Sequence, residues 1–271
     1  MEAGKRVRLD RVMRRPGAHR GGGGLFLVPL DHSVASGPLA SSDGLADIIA
    51  TVGRNGADGV VIHKGRVRFL GALGPDLALV VHLSASTSHA PDADHKVLVA
   101  DVEQALRCGA DAVSVHVNLG SDTEAGQLAD LGRVAAECSL WGMPLIAMVY
   151  PRGPRISDGT APDLVAHAAS LAADLGADIV KTPFTGDVAS MSDVVRSCPI
   201  PVITAGGEKV GSEERLYGDI EDVMRAGAAG VAVGRNVFQA DDVAGVTRRI
   251  ARIVHRRVDA VAGLPRVSAT V

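Results

Sequence analysis

Lys181 occupies a position where a lysine is costly unless its amine is used. It ends the segment "GADIVK", whose apolar run is typical of a buried strand. Only five of the 28 basic residues are lysines, so arginine supplies most of the generic positive charge. Of the two residue types, only lysine can lose its proton and attack a ketone to form an imine. The position of Lys181 therefore indicates Schiff-base aldol chemistry.

Imine chemistry also needs groups that carry protons, and two candidates follow other apolar runs. Tyr150 ends "PLIAMVY", and Asp31 follows "LFLVPL". Structural roles stay open for each: Lys181 as a phosphate anchor or ion-pair partner, Tyr150 as a packing residue, and Asp31 as a cap. Lys64 also follows an apolar run and is a second candidate for the nucleophile.

Two short glycine segments indicate a phosphate site. "TAGGEK" contains Gly206 and Gly207, and "VGRN" contains Gly234 and Arg235. Backbone N–H groups of such loops can approach phosphate oxygens closely, and an arginine adds charge. Either loop alone could be a plain tight turn, but both together predict a phosphorylated substrate.

A repeated pattern predicts the elements that position these residues. Four segments resemble one another: "NGADGVVIHKG", "CGADAVSVHVN", "LGADIVKT" and "AGAAGVAVGRN". In each, a helix ends at glycine and a strand begins. Such alternation predicts a single-domain α/β fold, a (β/α)8 TIM barrel, rather than an open doubly wound sheet. We expect its strands near residues 25–31, 58–63, 77–83, 112–117, 144–150, 177–181, 200–204 and 229–233.

Nearly every predicted strand ends in polar residues. In a barrel of this class, the carboxyl ends of all strands meet at one rim, where the chemistry takes place. We therefore expect Lys181, Tyr150 and Asp31 to share one opening. The other polar residues at these ends are His32, His63, Lys64, His82, Ser84, His116, Asn118, Arg152, Thr182, Arg235 and Asn236.

The predicted barrel covers residues 25–262 without an internal boundary. Residues 1–24 form a basic arm that ends in glycines, and residues 263–271 form a C-terminal tail. We expect the arm to be mobile or to pack in an oligomer. The apolar run that follows it is too short for a secretory signal.

The composition excludes several classes of partner. A net charge of −3 and an aromatic content of 3% do not suit a nucleic-acid surface. No apolar stretch approaches the length of about 18 residues that a membrane span needs. The three cysteines are widely spaced and lack a CxxC pattern, which favours reduced thiols in the cytoplasm. We expect small-molecule substrates, no cofactor and no metal.

The rim segments resemble those of the archaeal-type class I aldolases, from about residue 25 to 240. The similar segments include "VPLDHSVASGP", "WGMPLIAMVYPRG", "GADIVKT" and "AGAAGVAVGRNVFQ". The resemblance implies that Lys181 forms the Schiff base, Tyr150 donates a proton and Asp31 accepts one. Together with the basic arm and the helices, it also suggests a homo-oligomer. The implied substrate and phosphate contacts are His32, Ser33, Val34, Ala35, Pro151, Arg152, Gly206, Gly207, Gly234 and Arg235.

Departures from the family pattern concern the substrate more than the chemistry. Ser33 replaces a glycine, Pro183 and Phe184 replace an asparagine and a tyrosine, and Glu208 replaces a proline. The arginine-rich composition favours a bacterial branch that joins dihydroxyacetone phosphate to L-aspartate 4-semialdehyde, giving a C7 amino keto acid phosphate. In that reaction, Arg152 would orient the carboxylate of the acceptor.

Three other functions remain open. The first is a fructose-bisphosphate aldolase of the same family. The second is a metal-dependent aldolase, in which a divalent ion binds Asp31 and histidines from four strand ends. Those histidines are His32, His63, His82 and His116. The third is a phosphometabolite-binding barrel that catalyses nothing and needs no reactive lysine.

Overall fold

The computed structural model describes residues 3–13, 24–39, 44–71, 73–74 and 76–255. The helices within these ranges are α1 (Ala3–Met13), α2 (His32–Ser36), α3 (Gly44–Arg54), α4 (Lys64–Val67), α5 (Val102–Arg107), α6 (Glu124–Trp141), α7 (Pro162–Asp174), α8 (Val188–Ser197), α9 (Glu213–Arg225), α10 (Arg235–Phe238) and α11 (Val243–His255). The strands are β1 (Leu25–Pro29), β2 (Gly59–His63), β3 (Ala78–His82), β4 (Ser84–Ala85), β5 (Val97–Leu98), β6 (Ala112–Leu119), β7 (Leu145–Pro151), β8 (Ile179–Thr182), β9 (Val202–Ala205) and β10 (Gly230–Ala232).

Eight parallel strands close into a barrel in the order β1, β10, β9, β8, β7, β6, β3, β2. This confirms the predicted single-domain (β/α)8 fold, and each strand overlaps its predicted position. The strands read as continuous apolar runs because alternate side chains face two apolar layers. Inside the barrel, Leu27, Val80 and Ile146 belong to one buried cluster. Neighbouring residues such as Val28 and Val81 belong to the cluster that includes the surrounding helices.

A small hairpin that the sequence analysis does not predict follows β3. Strands β4 and β5 pair antiparallel, with Ser84 opposite Leu98. The side-chain amides of Asn118 and Gln127 both donate to the backbone oxygen of Asp94, at 2.8 and 2.9 Å. These bonds tie the hairpin loop to β6 and α6, on the rim where the strands end.

The described part of the predicted arm is a helix that packs against the opposite end of the barrel. Leu9 and Val12 of α1 are buried in the cluster that fills the barrel interior. Lys5 forms an ion pair with Asp178 at 2.8 Å. Residues 3–13 are therefore packed against the barrel, which differs from a mobile arm. Residues 14–23 of the arm and the 263–271 tail lie outside the described residues, and the domain boundaries stay predictions.

Two further expectations can be compared with the described residues. Cys108, Cys138 and Cys198 are all free thiols, and the last two are buried. Across the described ranges, no helix combines the length and the apolar character needed to cross a membrane.

Because α1 buries apolar side chains at the barrel end, shortening one of them should destabilise the whole domain. We expect Leu9→Ala to lower the free energy of unfolding by about 2–5 kcal/mol, measured by urea denaturation. Val7→Ala on the same helix is the matched control, because Val7 is 67% exposed, and it should change stability by less than about 0.5 kcal/mol. Equal effects of the two changes would contradict the packing of α1.

Candidate active site

Lys181 lies inside the barrel mouth. Its side chain projects from β8 into a cavity of about 270 Å³ at the carboxyl ends of the strands, and the residue is 7% exposed. Its Nζ atom lies 3.9 Å from the sulfur of Met148 on the adjacent strand β7. Among the described residues, no carboxylate lies within ion-pair distance of Nζ. This placement does not match the role of an ion-pair partner and leaves the amine facing the cavity.

The ring of Tyr150 lies close to two cationic groups of the mouth. Its centroid is 5.8 Å from Lys181 Nζ and 5.5 Å from Cζ of Arg152. The His116 ring lies 5.0 Å away on the other neighbouring strand, β6. Tyr150 is the second-last residue of β7, two residues after Met148, which pairs with Lys181, so the pairing of β7 with β8 brings this phenol close to the lysine. It lines the same cavity as Lys181.

Asp31 supplies the negative charge of the cavity. It follows β1 and precedes α2, but its side chain makes no capping hydrogen bond, which does not match the role of a cap. Its carboxylate oxygens lie 3.5 Å from His32 Nδ1 and 3.8 Å from His82 Nε2. Burial raises the pKa of Asp31, but His82, His32 and Lys181 together outweigh this and leave the pKa below its usual value. The carboxylate is therefore ionised at neutral pH and available to accept a proton.

The buried histidines of the mouth are neutral. Burial lowers the pKa of His82 to about 4, against the charge of Asp31, which raises it. Burial also lowers the pKa of His116 well below its usual value. His82 Nδ1 lies 2.8 Å from the hydroxyl of Ser114. His116 Nε2 lies 2.8 Å from the Asn118 side-chain oxygen, which can only accept, so Nε2 carries the proton.

The histidines at the strand ends do not form a metal-binding cluster in the described part of the chain. There, no three His, Cys, Asp or Glu side chains converge as ligands of one ion would. His82 and His116 instead contact Ser114 and Asn118. Their ring orientations are thus set by polar partners within the barrel wall.

The two glycine loops meet beside the cavity, as their positions in the sequence predict. Gly207 has a φ of +66°, which favours glycine. A Cβ atom on Gly234 would lie 2.7 Å from the Pro29 carbonyl oxygen, so a side chain there would collide with backbone. Arg235 donates to the Gly207 oxygen at 3.1 Å. Its Nε atom is buried without a hydrogen-bond partner in the described residues. An unpaired donor beside exposed backbone suits a bound anion.

The other expected site residues separate into two groups. His32, Val34, Ala35 and the glycine loops line the cavity with Arg152 and Arg235. Ser33 instead lies beside Leu39, Leu45 and Arg66, and Pro151 lines a neighbouring cleft. Neither residue lines the cavity itself.

Lys64 is held away from the cavity. Its Nζ atom donates to the side-chain oxygen of Gln104 on α5, and the residue does not line the cavity that contains Lys181. The structure thus separates the two lysines that the sequence leaves as alternatives.

Lys96 is a cavity residue that the sequence pattern does not predict. Lys96 lies in the hairpin after β3, yet its side chain reaches the cavity. Its Nζ atom donates to the Ser86 hydroxyl and to the Ala93 carbonyl oxygen. The available signal is that the connection between the third and fourth barrel strands contains one of only five lysines.

Fold and site together define an enzyme of the TIM-barrel class, with a polar cavity at the carboxyl ends of its strands. Residues 25–240 match the model of the DeoC/LacD family of aldolases. The chain belongs to this family and is an aldolase.

Two named relatives are similar to this chain over most of its length. The chain is 48% identical over 235 residues to the 2-amino-4,5-dihydroxy-6-oxo-7-(phosphonooxy)heptanoate synthase of Streptomyces griseus, covering 85% of each chain. It is 42% identical over 253 residues to the 2-amino-3,7-dideoxy-D-threo-hept-6-ulosonate synthase 1 of Archaeoglobus fulgidus, covering 93% of this chain and 91% of that one.

A solved structure extends the likeness to the fold. The structure of an archaeal fructose-1,6-bisphosphate aldolase, with its catalytic Lys covalently bound to the carbinolamine intermediate of the substrate, matches with a TM-score of 0.83. It is 29% identical, and the match covers 93% of this chain and all of that one.

The lowered histidine pKa values predict a loss of stability in acid. Between pH 6.5 and about 4, an unfolded His82 binds a proton that the folded one does not, so folding becomes less favourable as pH falls. In His82→Gln, the loss of unfolding free energy over this range should be smaller, by on the order of 3 kcal/mol. Urea denaturation from pH 7 to 4.5 measures the slope.

The control for this prediction is His167→Gln, since His167 is exposed on α7. This change should leave the slope unaltered. A wild-type slope in His82→Gln would mean that His82 is not held neutral in the folded protein.

Proposed function

We propose that this aldolase is a cytoplasmic, Schiff-base-forming enzyme that joins dihydroxyacetone phosphate to L-aspartate 4-semialdehyde. The single observation that carries the proposal is the buried Lys181 amine in one cavity with Tyr150 and ionised Asp31. The name of the Streptomyces griseus relative supports the substrates: a phosphorylated C3 ketone and a C4 amino acid semialdehyde add up to an aminated heptanoate phosphate.

The first half of the reaction activates the donor. Lys181 Nζ attacks the C2 ketone, and loss of water from the resulting carbinolamine gives an imine. A proton then leaves C3, and the electron pair moves towards the protonated imine nitrogen to give an enamine. The catalytic Lys of the archaeal fructose-1,6-bisphosphate aldolase is bound as a carbinolamine, which supports the same first step here. The donor phosphate would bind the glycine loops and Arg235.

The second half forms the carbon–carbon bond. The enamine carbon attacks the aldehyde carbon of the acceptor, and the aldehyde oxygen takes up a proton. Water then hydrolyses the imine and releases the C7 product from Lys181. Asp31 can accept the C3 proton because its carboxylate is ionised and lines the same cavity as Lys181. Tyr150 is suited to donate because its ring lies beside Lys181.

Reductive trapping tests the nucleophile directly. Borohydride added with dihydroxyacetone phosphate should leave a covalent adduct on the peptide that contains Lys181. Lys181→Met should form no adduct and should lose activity by at least about a thousandfold, because Lys96, the other described lysine that lines the cavity, donates to Ser86 and to the Ala93 backbone oxygen.

Lys64→Met is the matched control, since Lys64 directly follows strand β2 but contacts Gln104. It should keep both the adduct and the activity. An adduct on a different lysine would contradict the proposed nucleophile. Activity that is lost with a chelator, without any adduct, would favour the metal-dependent alternative.

Tyr150→Phe tests the proton donor without removing the ring. We expect kcat to fall by about 10²- to 10⁴-fold, while the KM for dihydroxyacetone phosphate and the final amount of borohydride adduct stay near the wild-type values. Tyr217→Phe is the control, because Tyr217 donates to Glu213 on α9 and does not line the cavity. A wild-type kcat in Tyr150→Phe would remove Tyr150 from the mechanism.

A further inference from the structure

The hairpin after β3 brings a second lysine to the cavity, and the reaction described above does not use it. Lys96 lines the same cavity as Lys181. Its ammonium group has three N–H donors, of which two bond to Ser86 and to the Ala93 backbone oxygen. One donor therefore remains for a ligand.

Lys96 lies across the barrel from the glycine loops. In the closed strand order, β9 is four places from β3 and β10 is four places from β6, and the hairpin connects from β3 back towards β6. The loops with Gly206 and Gly234 follow β9 and β10, so they face the hairpin that carries Lys96. Lys181 on β8 and Tyr150 on β7 lie along the wall between these two sides.

Arg152 is the second cation near the hairpin, because it lines the cavity together with Lys96 and its backbone N–H donates to the oxygen of Leu119, at the end of β6, at 2.9 Å. Burial lowers the pKa of Lys96, and Arg152 lowers it further, while Asp94 and Asp92 oppose the shift. The same two cations, Lys96 and Arg152, also lower the pKa of His116. Two positive side chains that share a partly buried cavity repel each other, and an anion that lies near both offsets this repulsion.

The hairpin holds Lys96 in place before any ligand binds. The hairpin loop is fixed by Asn118 and Gln127, which both donate to the Asp94 backbone oxygen. Ser88 N also donates to the Ala35 oxygen at 2.9 Å, which links the hairpin to the α2 segment on the cavity wall. Fixed donors lose little conformational entropy when they bind a ligand.

We propose that Lys96 and Arg152 form a second anion subsite, which binds the carboxylate of the acceptor aldehyde while the glycine loops bind the donor phosphate. This inference rests on the proposed function, because it assigns one end of the cavity to each substrate. The condensation product carries its phosphate and its carboxylate at opposite ends of a linear chain. Two cationic sides with Lys181 between them match that arrangement of charge.

The test compares acceptors that differ in charge. In Lys96→Met, the KM for L-aspartate 4-semialdehyde should rise by about 10- to 100-fold, the effect of losing one hydrogen bond to a charged group. The KM for dihydroxyacetone phosphate and for uncharged glyceraldehyde should change by less than about twofold. Lys96→Arg should restore most of the affinity for the carboxylate, because it keeps the charge.

Lys64→Met is the control for loss of a lysine at the rim. Equal increases in KM for charged and uncharged aldehydes would show that Lys96 only supports the hairpin, and no increase for the semialdehyde would show that it binds no anion. Either result overturns the proposal.

The proposed subsite and the proposed function are tested by different outcomes. If Lys96→Met still forms the borohydride adduct at Lys181, the donor half is intact whatever happens to the acceptor. If the wild-type enzyme makes no product from L-aspartate 4-semialdehyde, the proposed acceptor is wrong. A comparison of the KM values for glyceraldehyde 3-phosphate and for glyceraldehyde then tests the subsite. Lys96→Met must raise only the KM for the phosphorylated aldehyde.

Discussion

The placement of the Lys181 amine among apolar and neutral neighbours is the constraint on which the rest of the site depends. An ammonium group loses hydration when it enters the barrel mouth, and charges act over longer distances there than in water. The described polar contact of its amine is the sulfur of Met148, so the compensating charge acts through space from Asp31, whose pKa Lys181 helps to lower. The other groups close to Lys181 must therefore add no positive charge.

Histidines are suitable neighbours of Lys181 because burial keeps them uncharged. His82 and His116 line the cavity near Lys181, where further positive charge would be costly. As neutral rings they contribute polarity and hydrogen bonds to Ser114 and Asn118 without that cost. Fixed cations are correspondingly placed towards the two sides of the mouth, with Arg235 by the glycine loops and Lys96 on the hairpin.

The sequence predicted the barrel and its central residues for a physical reason. Continuous apolar runs mark strands that are buried on both faces, and the residue after each run must lie at one rim, which located Lys181, Tyr150 and Asp31. Lys96 escaped this reasoning because its hairpin strands are two residues long and show no periodicity. The orientation of Ser33 also escaped, since the sequence does not reveal which side of the short helix α2 faces the cavity.

The departures from the family pattern surround the reacting groups rather than replace them. Ser33 adds a hydroxyl, but it lies outside the cavity, so it removes no room from the donor. Phe184 lines the neighbouring cleft. Glu208 lies 3.5 Å from an Arg235 nitrogen and is itself 90% exposed, so solvent weakens this pair. In the proposed reaction, the donor phosphate would therefore compete for the same guanidinium group, and Glu208 would release Arg235 at little cost.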